Sequence, residues 1–212
     1  MKNILRKSTT FILSTAVSII FSAFILSCAK QGDVTIRQAM EAYQRQDYEQ
    51  SIKLFKQALD EDTNYSEETI HNFIANIYMA EGEFDEANAY LEKLLEKKED
   101  YRMLVQLGRN YREVGDNEKA EAAYKRAITL NPDKGEAYAS LGAVKIAEEK
   151  FDEAVENLKK AAELEPKIAV IHANLAVAYA LSGDKDAAEA EFKTAKILKC
   201  ENLEEFRERA GL

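Results

Sequence analysis

The sequence predicts an all-α protein assembled from repeated helical hairpins, and three observations carry that prediction. Only 8 glycines and 2 prolines occur in 212 residues, about 5% against an average usage of about 12%, which disfavours β sandwiches and barrels with their frequent turns. With 46% hydrophobic and 32% charged residues and no tryptophan, the chain is neither disordered nor fibrous, and its wealth of Ala, Glu, Lys and Leu favours helix. Finally, a 34-residue period runs through it. Pro132 and Pro166, Gly108 and Gly142, and Leu107 and Leu141 are each one period apart, as are Ala120, Ala154 and Ala188, and Ala127, Ala161 and Ala195. Gly115 and Gly183, like Tyr111 and Tyr179, are separated by two periods. Such self-similarity marks a repeat architecture.

Taken in chain order, residues 1–27 stand apart. Lys2, Arg6 and Lys7 precede an uncharged stretch from Ser8 to Ser27, the pattern of a secretory signal. The stretch ends in Ile25-Leu26-Ser27-Cys28. These four residues resemble the lipobox of bacterial lipoproteins, with Leu26 where a small residue is usual. That resemblance implies removal of 1–27, lipidation of Cys28 (palmitate among its acyl chains) and a short tether over 28–32. About 20 uncharged residues can also span a bilayer uncleaved, and that alternative stays open. Either way the remainder is exported. Net charge is −9, and removing three cations with the first 27 residues leaves −12. A chain so acidic is a poor binder of nucleic acid and of anionic lipid surfaces, so membrane attachment must be hydrophobic or covalent. With Cys28 acylated, Cys200 has no intramolecular partner.

The repeats follow over 33–202, at about 32–65, 68–100, 101–134, 135–168 and 169–202. In 101–134, Leu104, Leu107, Gly108 and Tyr111 fall on one face of a first helix (helix A), and Ala120, Tyr124, Ala127 and Pro132 on or after a second (helix B). Repeat 68–100 keeps Ala75, Tyr78, Gly82, Ala87 and Leu91 but lacks the proline; repeat 32–65 is divergent, with Gln46 in place of the glycine found at 82, 115 and 183. Gly108 and Gly142 let helix B approach closely, Gly82, Gly115 and Gly183 end helix A, and Pro132 and Pro166 end helix B. This pattern resembles the tetratricopeptide repeat, which implies a right-handed superhelical array of about five helix–turn–helix repeats. Residues 203–212 place Leu203, Phe206 and Ala210 on one side of a short capping helix, with Glu204, Glu205, Glu208 and Arg209 outward.

No residue pattern points to catalysis, a cofactor or a metal. The histidines, His71 and His172, both occupy the fourth position of a helix A, a packing position three repeats apart. No Cys/His cluster, phosphate-cradling glycine loop or HExxH pair is present. The repeat instead implies binding on the concave surface lined by the A helices. Carried over residue by residue, that surface comprises Asn72 and Asn76, then Arg102, Gln106, Arg109 and Arg112, then Ile146 with Ala139, Ala143 and Ala147, and Asn174 and Val177 with Val170 and Ala173. The groove is expected to join an arginine stripe to an apolar shelf. The arginines can clamp a carboxylate or an acidic segment, or pair with neighbouring acids; the shelf can take an apolar peptide edge or helix, or be inter-repeat packing.

The expected function is a non-catalytic protein–protein interaction scaffold or assembly factor of the cell envelope. It would hold a peptide or partner helix from a membrane-associated protein. Ala29 after the cysteine, in place of Asp, favours the periplasmic face of an outer membrane by the lipoprotein resemblance. The alternative is a transporter-associated protein handling a small molecule.

Overall fold

The computed structural model describes residues 30–212; Cys28 and the N-terminal segment lie outside them. Among the described residues there are eleven α-helices and no strand, in agreement with the all-α repeat class. The chain divides into two compact units, one ending at Ile77 and the other running over Tyr78–Leu212.

In the first unit, α1 (Gln31–Gln44) and α2 (Tyr48–Ala58) form a hairpin, followed by α3 (Glu67–Glu81), whose last turn belongs to the second unit. Ala39, Ala42 and Ala58 are wholly buried, which lets the helices approach, and the Ser51 hydroxyl crosses the hairpin to donate to the Ala39 carbonyl at 2.8 Å. Phe55 stacks on Phe73 at 5.1 Å between ring centres. Helix α1 begins at Gln31, two residues before the expected start. Its first turn is pinned by Lys30–Asp62 (2.9 Å), Gly32 N–H to the Asp62 carbonyl (2.9 Å) and Thr63 to the Asp33 carboxylate (2.6 Å).

The second unit comprises α4 (Phe84–Lys97), α5 (Tyr101–Glu113), α6 (Asn117–Leu130), α7 (Gly135–Ala147), α8 (Phe151–Leu164), α9 (Ala169–Ser182), α10 (Lys185–Ile197) and α11 (Leu203–Ala210). Helices α5 and α6, α7 and α8, and α9 and α10 pair as hairpins; each hairpin then packs on the next through α6 with α7 and α8 with α9. The A helices α5, α7 and α9 also touch in sequence. Helix α11 packs mainly on α9, burying Ala210 and half-burying Leu203 and Phe206.

Local chemistry sets the hairpin turns. Asp47, Asp116 and Asp184 accept from backbone N–H groups three residues on (3.3, 3.0 and 3.0 Å), capping α2, α6 and α10; such caps each contribute about 1 kcal/mol. The residue before each of these caps is left-handed. Gly115 and Gly183 adopt φ of 83° and 99°, and Gln46 keeps the same turn at φ 62° without glycine. Glu149 does so at φ 58° in the repeat where Lys150 replaces the capping aspartate. Hairpin packing over-determines this turn, so it survives a residue type that costs about 1–2 kcal/mol in that conformation.

Candidate functional site

The arginine stripe is carried by α5. Asp100 starts this helix by accepting from the N–H groups of Arg102 and Met103 at 2.8 and 3.0 Å. Leu104, Leu107, Gly108 and Tyr111 are buried, as their spacing requires, which turns Arg102 and Arg109 to solvent and leaves Arg112 partly exposed. Arg109 meets Glu136 of α7 at 3.3 Å with both side chains about half exposed (48% and 50%), and Arg112 meets its neighbour Glu113 at 3.4 Å. Exposed single-contact pairs of this kind are worth about 0–1 kcal/mol, so they yield readily to a better anion.

Gln106 is half-buried and tied down. It donates to Asn110 at 2.9 Å, and Asn110, 1% exposed, donates to the buried Asn88 of α4 at 3.0 Å. This chain of amides sets the floor beside the arginines. Sequence reasoning missed Asn88 and Asn110; the signal was a polar residue three positions after Leu107 on an otherwise apolar stripe.

The apolar shelf is corrected. Val177 is 0% exposed and Ile146 is 9% exposed. Both belong to one core cluster with Leu158, Phe192 and Ala210. The physical reason is packing between successive hairpins: Ile146 and Val177 lie among Leu158, Leu175 and Phe192 of α8, α9 and α10, with Ala210 of α11 in the same cluster. Ala173 is likewise fully buried. Asn174 stays partly exposed on α9, while Ala139 and Ala143 are half-buried and Ala147 is exposed on α7. What remains open beside the arginines is therefore the small-residue face of α7. Asn72 and Asn76 stand exposed one turn apart on the first unit's part of α3.

A second polar centre, also missed from sequence, lies on the other side of α7. Lys145 is the only cation of that helix and its side chain is 3% exposed, between Glu121 of α6 at 2.7 Å and Glu148 at 2.9 Å, with Glu153 at 3.5 Å. Glu121 also takes Lys125 at 2.6 Å. Hydrogen bonds from Lys125 and Lys145 hold the Glu121 carboxyl down to about 2. Burial disfavours the Lys145 ammonium, but hydrogen bonds to Glu121 and Glu148 outweigh it and raise its pKa. A lysine between Val144 and Ile146, one turn after Leu141, was the available clue.

The histidines are packing residues in the described structure. His71 is 3% exposed; His172 is held between Glu191 (2.7 Å) and the Pro166 carbonyl (3.0 Å). Among the described residues no group of three His, Cys, Asp or Glu side chains is arranged to hold a metal ion. Cys200 is a half-buried free thiol.

Comparison with known proteins places this geometry. Residues 71–199 match the family described as the cilia and flagella-associated protein 70 middle TPR-like domain, and residues 36–102 match the tetratricopeptide repeat. The human protein O-mannosyl-transferase TMTC1 is 36% identical over 86 residues, which is 41% of this chain and 10% of that protein. The chain thus spans about a tenth of the length of the curated relative it matches. Among solved structures, a MamA protein superposes with a TM-score of 0.69 at 22% identity, over 85% of this chain and 96% of that one. MamA residues 41–end from Desulfovibrio magneticus RS-1 give 0.69 at 16% identity, over 81% and 96%. YrrB, described as a TPR protein with an unusual peptide-binding site, gives 0.64 at 22% identity, over 80% and 87%. At these identities the likeness is one of fold.

Proposed function

The chain belongs to the tetratricopeptide-repeat family, and from that premise we propose that it is a non-catalytic protein–protein interaction scaffold of the cell envelope. It holds an acidic peptide or partner helix along α5 and α7. The observation that carries this reading is the row of exposed Arg102 and Arg109 with partly exposed Arg112, of which Arg109 and Arg112 make only weak surface pairs, beside the small side chains of α7. A partner carboxylate gains bidentate contact with guanidinium there, and Ala139, Ala143 and Ala147 let its backbone lie close. That YrrB is described as binding peptide is consistent with this use of the fold. The test is photo-crosslinking in cells from positions 106 and 143. Arg109→Glu is expected to reduce capture of a defined partner about tenfold, as loss of one charge-assisted bond implies, while Lys159→Glu on exposed α8 leaves it unchanged. Undiminished capture by Arg109→Glu removes the arginine reading.

The scaffold is anchored, in this proposal, by lipid on Cys28. Among the described residues no helix is long and apolar enough to cross a membrane. Because α1 starts at Gln31 and Lys30 is already paired with Asp62, one residue, Ala29, would lie between the lipidated cysteine and folded structure, about 7 Å from Cys28 to Lys30 when extended. Cys28→Ser is expected to abolish incorporation of labelled palmitate and to release the protein from membranes. A variant that stays in the membrane fraction would instead support an uncleaved span, and the repeat array would still lie against the bilayer.

A further inference from the structure

A cleft opens where the start of α9, the loop after α10 and helix α11 meet. Its volume is about 580 Å³, within the range of about 300–1,000 Å³ typical of small-ligand sites. Its lining combines apolar side chains, Ile168 and Val170 (43% and 46% exposed), Leu198 and Phe206, with the cations Lys167, Lys199 and Arg209. None of the three has a carboxylate within ion-pair distance among the described residues, whereas Arg207 on the same helix is held by Glu189 at 2.6 Å. Arg209 lies over the Phe206 ring at 5.6 Å.

The preceding junction differs in its chemistry. One period earlier, Glu165 accepts from the Gly135 N–H at 2.9 Å and packs against Gly135. At this junction Lys199 stands in place of Glu165 and Ala169 in place of Gly135. The carboxylate that meets Gly135 has been exchanged for a cation at this junction. Glu201 and Glu205 also line the cleft. Their presence opposes a polyanion and leaves room for a single negative head.

We propose that this cleft binds a small anionic amphiphile, a monocarboxylate with an apolar chain. The carboxylate is held by Lys167, Lys199 and Arg209 and the chain lies on Ile168, Val170 and Phe206. This charge complementarity fits one carboxylate better than an uncharged apolar ligand, which would leave the three cations unused.

Cys200 lines the cleft and reports on its occupancy. Burial pushes its thiol up, so alkylation by iodoacetamide is followed in the full chain at mildly alkaline pH, with peptide mapping to separate Cys200 from Cys28. Decanoate at ten times its dissociation constant is expected to slow Cys200 alkylation about tenfold and saturably. Decanol and acetate are expected to slow it little. Lys199→Glu should abolish the protection and Lys199→Gln should weaken it, with helix content unchanged in both, whereas Lys159→Glu should retain it. Absence of saturable protection overturns the proposal, as does equal protection by decanol or protection that survives Lys199→Glu. Protection by a peptide ending in an apolar residue, but not by decanoate, overturns it in favour of a peptide terminus.

Discussion

Lys145→Met is expected to destabilise the protein by about 3–5 kcal/mol, the cost of removing one member of a buried ion cluster. The Lys145 ammonium is the shared partner of Glu121 and Glu148, whose side chains are only 19% and 18% exposed. Without it, Glu121 on α6 keeps only Lys125 at 2.6 Å and Glu148 after α7 only Lys150 at 3.0 Å, both exposed cations, and the two carboxylates lose the buried partner they share across the junction between successive hairpins. Methionine keeps the stem's packing, so the measured loss isolates the charge. Urea unfolding followed by helix ellipticity at neutral pH provides the number, and a loss below about 1 kcal/mol would mean that water or Lys150 compensates. Adding Glu121→Gln and Glu148→Gln to the methionine variant is expected to restore part of the stability, because the two half-buried charges that shared Lys145 are then gone. The dependence on pH follows from Glu121. Its folded value of about 2 lies below the ordinary 4.5, so its contribution is complete above about pH 4.5 and is lost as pH falls towards 2. The advantage of the natural protein over Lys145→Met should therefore narrow through that window.

Gly142→Val is expected to be at least as damaging, with a loss of about 3 kcal/mol or more from overpacking. A Cβ at this position would stand 2.5 Å from Leu158 Cγ, and at Gly108 it would stand 2.7 Å from the Tyr124 ring; both partners are wholly buried. The sign separates this from ordinary helix propensity. In an exposed helix interior, glycine to alanine stabilises by about 0.5–1 kcal/mol, whereas here Gly142→Ala should already destabilise. A double-mutant cycle with Leu158→Ala tests the cause: the two substitutions should be strongly non-additive, since the cavity left by leucine accepts the new methyl group. Simple additivity would place the cost elsewhere.

Much of the architecture was legible because a repeat writes its packing several times over. Ala120, Ala154 and Ala188 recur because helix B must touch helix A at the same height in each hairpin, and all three are fully buried. Gly108 and Gly142 recur for the matching reason on the opposite helix. The aspartate caps and the left-handed residue before them could be read from 115–116 and 183–184, and the same turn persists at Gln46 and Glu149, where no glycine announces it.

The binding surface was legible only in part. The period assigned Arg102, Arg109 and Arg112 to one side of α5; Arg102 and Arg109 are exposed there and Arg112 is partly exposed. It also assigned Ile146 and Val177 to that surface, and these are core. Periodicity reports which face of a helix is shared with the equivalent face of its neighbours, but it does not report what covers that face. Ile146 and Val177 are covered by side chains of the neighbouring hairpin helices, in a core cluster that α11 joins through Ala210.

Sequence thus sufficed for everything that recurs: the helical class, the hairpin, its tight contacts and its turns, since each is a local or nearest-neighbour requirement met several times in one chain. Tertiary structure decided what happens once. The Asn88–Asn110 pair, the Lys145 cluster and the cleft lined by Lys199 each depend on one unrepeated residue meeting groups from helices distant in sequence. Only the folded chain brings those groups within hydrogen-bonding distance or leaves them without a partner.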